Sequence, residues 1–207
     1  MAVMLVHEWP DLNDQIKSMA TELAKQGYPP SAIDLYRGKV ATDPGQARKL
    51  MGDVDYAAAA KTIGSELRRL KRDDMANGKV AAVGWCFGCG WSLNASLAEP
   101  VNTTIVYYDN VKKSAGDLNP LHGPILVHFA ECDKWSNRDM VSGSEVAMEK
   151  IVTLLPVTGN RKINCAPTQP AVAITMMTQR ASGAAVWIFC AKICHNSLLR
   201  SSAQRAS

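Results

Sequence analysis

The stretch Lys79 to Leu93, KVAAVGWCFGCGWSL, constrains this chain more than any other. Val80 to Val83 is a short apolar run that reads as a buried strand. Gly-Trp-Cys-Phe-Gly follows as a turn, and Cys89 to Leu97 carries the small and apolar residues of a helix packed on a sheet. Strand, sharp turn and helix are the context in which a Gly-x-nucleophile-x-Gly motif has chemical meaning. A nucleophile at the apex of such a turn is held in a strained backbone conformation, and Gly84 and Gly88 flank it because a Cβ two residues to either side would crowd the turn. We therefore expect Cys86 to be lifted above the sheet. The Phe87 N–H and the helix N-terminus would lie beneath it, where partial positive charge favours a thiolate and later an oxyanion.

Two other readings fit some of the same residues. Cys86-Phe87-Gly88-Cys89 is a C-x-x-C, and such a pair between a strand and a helix can be a thioredoxin-like redox motif. That reading leaves Gly84, Gly88 and Gly90 unexplained. A buried core thiol is the bland alternative, because cysteine is among the most buried residue types; two flanking glycines in this context weigh against it.

The remaining sequence sets the bounds. With 207 residues, 47% of them hydrophobic, the chain has the size of an ordinary domain with a sizeable core. No run approaches the roughly 18 apolar residues of a membrane span. The start lacks a basic segment followed by a long apolar one, so a cytoplasmic protein is expected, with its six irregularly spaced cysteines reduced. The net charge of +4 is unevenly spread, since all 19 acidic residues lie at or before Glu149. Lys150 to Ser207 has no Asp or Glu, is apolar in places, and lacks the clustered Lys/Arg of a nucleic-acid-binding tail. Its composition is that of a shifted reading frame or a replaced end. We set 156–207 apart as an anomalous basic and apolar tail, frameshifted or disordered, and take 1–155 as the domain.

Along the chain, Ala2 to Val6 is an apolar strand ending in His7-Glu8-Trp9-Pro10, and a start so close to a buried strand suggests residues missing upstream. Asp11 or Asn13 caps a helix to about Gln26, with Ile16, Met19, Ala20, Leu23 and Ala24 on one face. Ala32 to Leu35 reads as a second strand, with Tyr36-Arg37-Gly38 in the loop beyond. Asp43-Pro44 opens a short helix to Met51, and Asp53 or Asp55 a longer one to Lys71. After the turn at Cys86, Thr103 to Tyr107 and Pro124 to Phe129 are β-rich, Val141 to Val152 reads as a helix, and Ile151 to Leu155 as a last strand. Strands alternating with helices imply a mostly parallel sheet with helices on both faces, and sites in such sheets gather at the carboxyl ends of strands. Glu8, Arg37, Cys86 and Asp133 all fall just past strand ends.

His7-Glu8-Trp9, Leu12-Asn13-Asp14-Gln15-Ile16, Asp34-Leu35-Tyr36-Arg37-Gly38 and Gly84-Trp85-Cys86-Phe87-Gly88 stand in the order and spacing of the dienelactone hydrolase family. From about Ala2 to about Leu155 the chain resembles these carboxymethylenebutenolidase-like α/β-hydrolases. The resemblance implies an α/β-hydrolase fold lacking its first strands and its normal C-terminal end. It implies Cys86 as nucleophile, Asp133 as the acid that orients the base, Glu8 as the carboxylate contacting the resting thiol, and Arg37 as anchor for a substrate carboxylate. The amides of Trp9 and Phe87 would form the oxyanion hole. The substrate would be a small unsaturated lactone or ester; no cofactor, nucleic acid or membrane partner is implied.

Three departures accompany the resemblance. Cys89 stands where the family usually has glycine, which bears on close helix–sheet packing. Residues ahead of Met1 that would supply the first strands are missing. The triad order on this fold is nucleophile, acid, histidine, and where the family has its histidine this chain reads Leu155-Pro156-Val157-Thr158-Gly159-Asn160. The sole histidine after Asp133 is His195, a base only if the tail folds back. His7, His122 and His128 read as strand-end, turn and strand residues, and no zinc or phosphate-loop pattern is present. The expected activity is hydrolysis through an acyl-enzyme. The alternatives are a hydrolase remnant without its base and a thiol-disulfide protein using Cys86 and Cys89.

Overall fold

The structure, a computed structural model, describes residues 1–107, 113–123, 125–128, 143, 146, 173 and 174. Its sheet has the strand order β2-β1-β3-β4-β5-β6. Strands β1 (Ala2–Val6), β2 (Pro30–Ile33), β3 (Val80–Trp85), β4 (Thr103–Tyr107) and β5 (Ile125–His128) run parallel. The two-residue β6 (Ala173–Ile174), from the compositionally distinct segment, pairs antiparallel with β5.

Each central strand is buried on both faces, as continuous apolar runs demand. Alternate residues feed two cores. Ala2, Met4 and Val6 of β1 join Val80 and Ala82 of β3 under helices α3 (Tyr56–Lys71) and α4 (Phe87–Ala98), through Ile63, Leu67, Leu70, Trp91 and Ala95. Val3, Leu5, Ala81, Val83 and Ile105 meet Ile16 and Leu23 of α1 (Asp14–Lys25) on the opposite face. This is a mostly parallel sheet between helix layers, as the alternation of runs predicts.

Local chemistry sets the boundaries. Of the two candidate caps for α1, Asn13 is the one whose side chain accepts the Ile16 N–H. Asp43 caps α2 (Pro44–Gly52), and Asp55 rather than Asp53 caps α3. The short α5 (Ala115–Leu118), absent from the sequence expectation, is closed by a capping box between Ser114 and Asp117. Strand β2 lies two residues earlier than Ala32 to Leu35. The Asp34 carboxylate turns the chain at once by accepting the N–H groups of Tyr36 at 2.8 Å and Gly38 at 2.6 Å. The expected strand at Ile151 to Leu155 lies outside the described residues; of the expected helix from Val141 to Val152, Gly143 and Val146 are described and are helical.

Candidate active site

Cys86 stands between the last residue of β3 and the first of α4 with φ 48° and ψ −119°. A non-glycine residue in this part of backbone space is strained and persists only where its surroundings enforce it. Here they do. The Cys86 N–H donates to the Tyr107 carbonyl at the end of β4 at 3.0 Å, and the Cys86 carbonyl accepts the Cys89 N–H at 2.8 Å, opening the helix. A Cβ on Gly84 would stand 2.2 Å from the Gly88 carbonyl oxygen, and one on Gly88 would stand 2.3 Å from that of Val6. Both glycines are therefore required by close backbone approach, as the flanking pattern predicts.

Cys89 fits the tight helix–sheet contact without opening it. Its side chain is fully buried, with the sulfur 2.9 Å from the Tyr107 carbonyl and 3.1 Å from that of Gly84. The thiol fills this position with a hydrogen-bonding group tied to the same carbonyl that tethers Cys86. Cys86, by contrast, is half-buried.

Around the turn lie groups from three strand ends. Past β1, His7 is fully buried: its Nδ1 is 2.6 Å from the Glu8 carbonyl, and its Nε2 accepts the Leu35 N–H at 3.1 Å. Burial holds the His7 pKa below the usual imidazole range despite its own backbone hydrogen bond and the nearby Asp34 and Asp11 carboxylates. Burial, and then the Asp11 charge, push the Glu8 carboxyl above its usual range. Asp11 itself is buried, and among the described residues its Oδ1 has no hydrogen-bond partner. Past β2, the Tyr36 hydroxyl donates to the Trp9 carbonyl at 2.8 Å. Its pKa is pushed far up by burial first, then by the negative charges of Cys86 and Asp11. The His7, Tyr36 and Phe87 rings pack together at centroid distances of 4.6 to 5.9 Å, so the three strand ends share one aromatic contact.

Arg37 has φ 55° and is exposed at the rim, followed by Gly38 at φ 81°. The Asp34 turn throws its side chain outward, and among the described residues Asp34 is spent on backbone N–H groups and the His7 contact rather than on Arg37. The structure thus brings Glu8, Trp9, Cys86 and Phe87 to one sheet edge, with Arg37 at its margin. Asp133, Asn160 and His195 lie outside the described residues. Among the described residues no three His, Cys, Asp or Glu side chains are grouped as a metal would need.

Sequence reasoning missed Tyr36, Asp11 and the bridging part of His7. The available signal was a polar residue ending each of two apolar strands, which a buried sheet edge tolerates only when its polar atoms are satisfied.

The family model of the dienelactone hydrolase family matches residues 1–155. The chain belongs to the dienelactone hydrolase family. Among curated relatives, "Protein usf" of Aquifex pyrophilus is 28% identical over 67% of this chain, and the "Putative carboxymethylenebutenolidase" of Aquifex aeolicus is 28% identical over 68%. The chain spans 64% of the length of each of these relatives. A solved dienelactone hydrolase-like promiscuous phosphotriesterase from metagenomic libraries superposes with a TM-score of 0.63 at 22% identity, covering 72% of this chain and 64% of that one. That likeness establishes the shared α/β-hydrolase fold. The turn at Cys86 is an elbow between β3 and α4, and among the described residues no helix is long and apolar enough to cross a membrane.

Proposed function

We propose that this dienelactone hydrolase family member hydrolyses small unsaturated lactones or esters with Cys86 as its nucleophile. The observation that carries the reading is the Cys86 backbone, held at φ 48° and ψ −119° between two glycines at a helix N-terminus. In the reaction the thiolate sulfur bonds to the substrate carbonyl carbon, and the N–H groups of Trp9 and Phe87 receive the oxyanion. The carbon–oxygen bond of the lactone or ester then breaks, the oxygen leaving with the electron pair, and water cleaves the resulting thioester. Glu8 contacts the resting thiol, Arg37 meets a substrate carboxylate, and Asp133 orients the base. The reading includes no cofactor and a cytoplasmic setting.

The resemblance to the family favours a slower version of this chemistry. By that resemblance, Asn160 would take the place of the histidine base, and a neutral amide does not exchange protons near pH 7. Losing one triad member lowers rates by about 10⁴–10⁶. Cysteine ionises slightly without help, so acylation survives while deacylation stalls. On this reading p-nitrophenyl acetate leaves an acetyl group on Cys86, seen by mass spectrometry, and Asn160→His converts that single event into turnover. Full activity in Cys86→Ala, or labelling spread over other cysteines, sinks the nucleophile assignment. Turnover in the parent chain at about 1 s⁻¹ or faster that His195→Ala abolishes would instead make His195 the base. Reversible formation of a Cys86–Cys89 disulfide without acylation would favour the thiol-disulfide alternative.

A further inference from the structure

His7 is held at both ring nitrogens by backbone groups of two adjoining strand ends. The Leu35 N–H, just past β2, donates to Nε2 at 3.1 Å. A ring nitrogen that accepts carries no hydrogen, so the neutral ring has its hydrogen on Nδ1, which donates to the Glu8 carbonyl at 2.6 Å. Burial, which lowers the His7 pKa, keeps the ring in this neutral form against the pull of Asp34, whose Oδ1 is 4.0 Å from Nε2, and of Asp11.

The Glu8 carbonyl belongs to the same peptide unit as the Trp9 N–H. That unit is trans and planar, so the two groups point in opposite directions. Whatever grips the Glu8 oxygen therefore aims the Trp9 N–H. The Trp9 carbonyl, in the next peptide, is separately fixed by the Tyr36 hydroxyl at 2.8 Å, so both sides of Trp9 are tied. This segment lies directly against the elbow: a Cβ on Gly88 would stand 2.6 Å from the His7 carbonyl oxygen, and the His7 and Phe87 rings are 5.9 Å apart.

We propose that His7 is a positioning residue of the Cys86 site: by holding the Glu8 carbonyl, its Nδ1–H aims the Trp9 N–H at the oxyanion formed when Cys86 attacks a carbonyl. Its part is structural in location and catalytic in effect, since it touches neither sulfur nor substrate. This deepens the hydrolase reading and rests on it.

Two reactions of the same sulfur separate the effect from mere loss of structure. Acylation of Cys86 by p-nitrophenyl acetate passes through an oxyanion as the sulfur–carbon bond forms and p-nitrophenolate leaves. Alkylation by iodoacetamide displaces iodide and forms no oxyanion. In His7→Phe, acylation should fall on the order of 10²-fold, as when one oxyanion donor is lost, while Cys86 alkylation stays within about threefold. In His7→Gln, whose amide keeps one donor and one acceptor, acylation should stay within about tenfold of the parent. Equal loss in both reactions, no loss in acylation, or His7→Gln as slow as His7→Phe would each overturn the proposal. Should His7→Phe fail to fold, nitrogen-15 NMR of the parent decides: a hydrogen on Nδ1 and a bare Nε2 are expected, and the opposite tautomer refutes it. If the parent is alkylated at Cys86 but takes no acyl group, the hydrolase reading is what fails; if the parent is acylated and His7→Phe is too, at the same rate, His7 alone is misassigned.

Discussion

Gly88→Ala tests how tightly the elbow is braced. The added methyl would stand 2.3 Å from the Val6 carbonyl oxygen, 2.6 Å from that of His7 and 2.8 Å from the Val6 carbonyl carbon. These are backbone atoms of β1 and the residue just past it, in a strand hydrogen-bonded on both sides, so no flexible side chain can move aside. Overpacking a core costs about 1–3 kcal/mol, and a clash with fixed backbone belongs at or above the top of that range. At about 2–4 °C per kcal/mol for a chain of this size, a loss of 3 kcal/mol lowers the midpoint of thermal unfolding by about 6–12 °C. Gly90→Ala, two residues on in the same helix, is the control. Nothing stands within 4 Å of its added methyl, and alanine gains about 0.5–1 kcal/mol over glycine in a helix interior. Urea unfolding followed by circular dichroism should thus separate the two alanines by about 4 kcal/mol. A Gly88→Ala protein within 1 kcal/mol of its parent would show that β1 and α4 are not pressed together here.

Two further outcomes concern charge. Arg37→Ala should erase any preference for esters bearing a free carboxylate over neutral ones, read as the ratio of acylation rates, and leave neutral esters nearly unchanged; equal loss on both would make Arg37 structural. Because the folded-state pKa of His7 lies below its ordinary 6.5, the unfolded chain takes up a proton there that the folded one does not, so this contribution is fully present above pH 6.5 and is lost as pH falls through the folded value. The raised Glu8 acts oppositely, favouring the fold below its ordinary 4.5 and losing that as pH rises through its folded value. As pH falls from 7.5 to 5.5, stability by urea unfolding should therefore change less favourably in the parent than in His7→Gln, which keeps Glu8 but has no imidazole to protonate; identical slopes would refute the assignment.

The parts legible in the sequence were those whose cause is local. The β-branched run Thr103 to Tyr107 is β4 without adjustment, and the spacing of Gly84 and Gly88 marked the elbow because the clash it avoids is with neighbouring backbone. Strand β2 was placed at Ala32 to Leu35, beyond Pro29 and Pro30, whereas Pro30 is the first residue of an edge strand, where a missing N–H costs little. Which acid or amide caps α1 and α3 depends on geometry that two candidates two residues apart do not distinguish in sequence. His7, Tyr36 and Asp11 were harder still. Their meaning comes from partners on other strand ends, such as the Leu35 N–H for His7 and the Trp9 carbonyl for Tyr36, and no local pattern encodes them.

The place of β1 inside the sheet sets a tempo for folding. It lies between β2 and β3, and its register with β3 pairs Ala2 with Val80. A ribosome adding about 5–20 residues per second completes β3 roughly 4–16 s after β1. Throughout that interval Ala-Val-Met-Leu-Val, fully buried in the finished protein, has at most one of its two strand partners and an open edge. Closing so long a loop before the central pairing can form makes it a late, non-local event. The strand that ends at Val6 and braces the elbow is thus exposed to a holding chaperone, or to a second nascent chain, while the protein is being made.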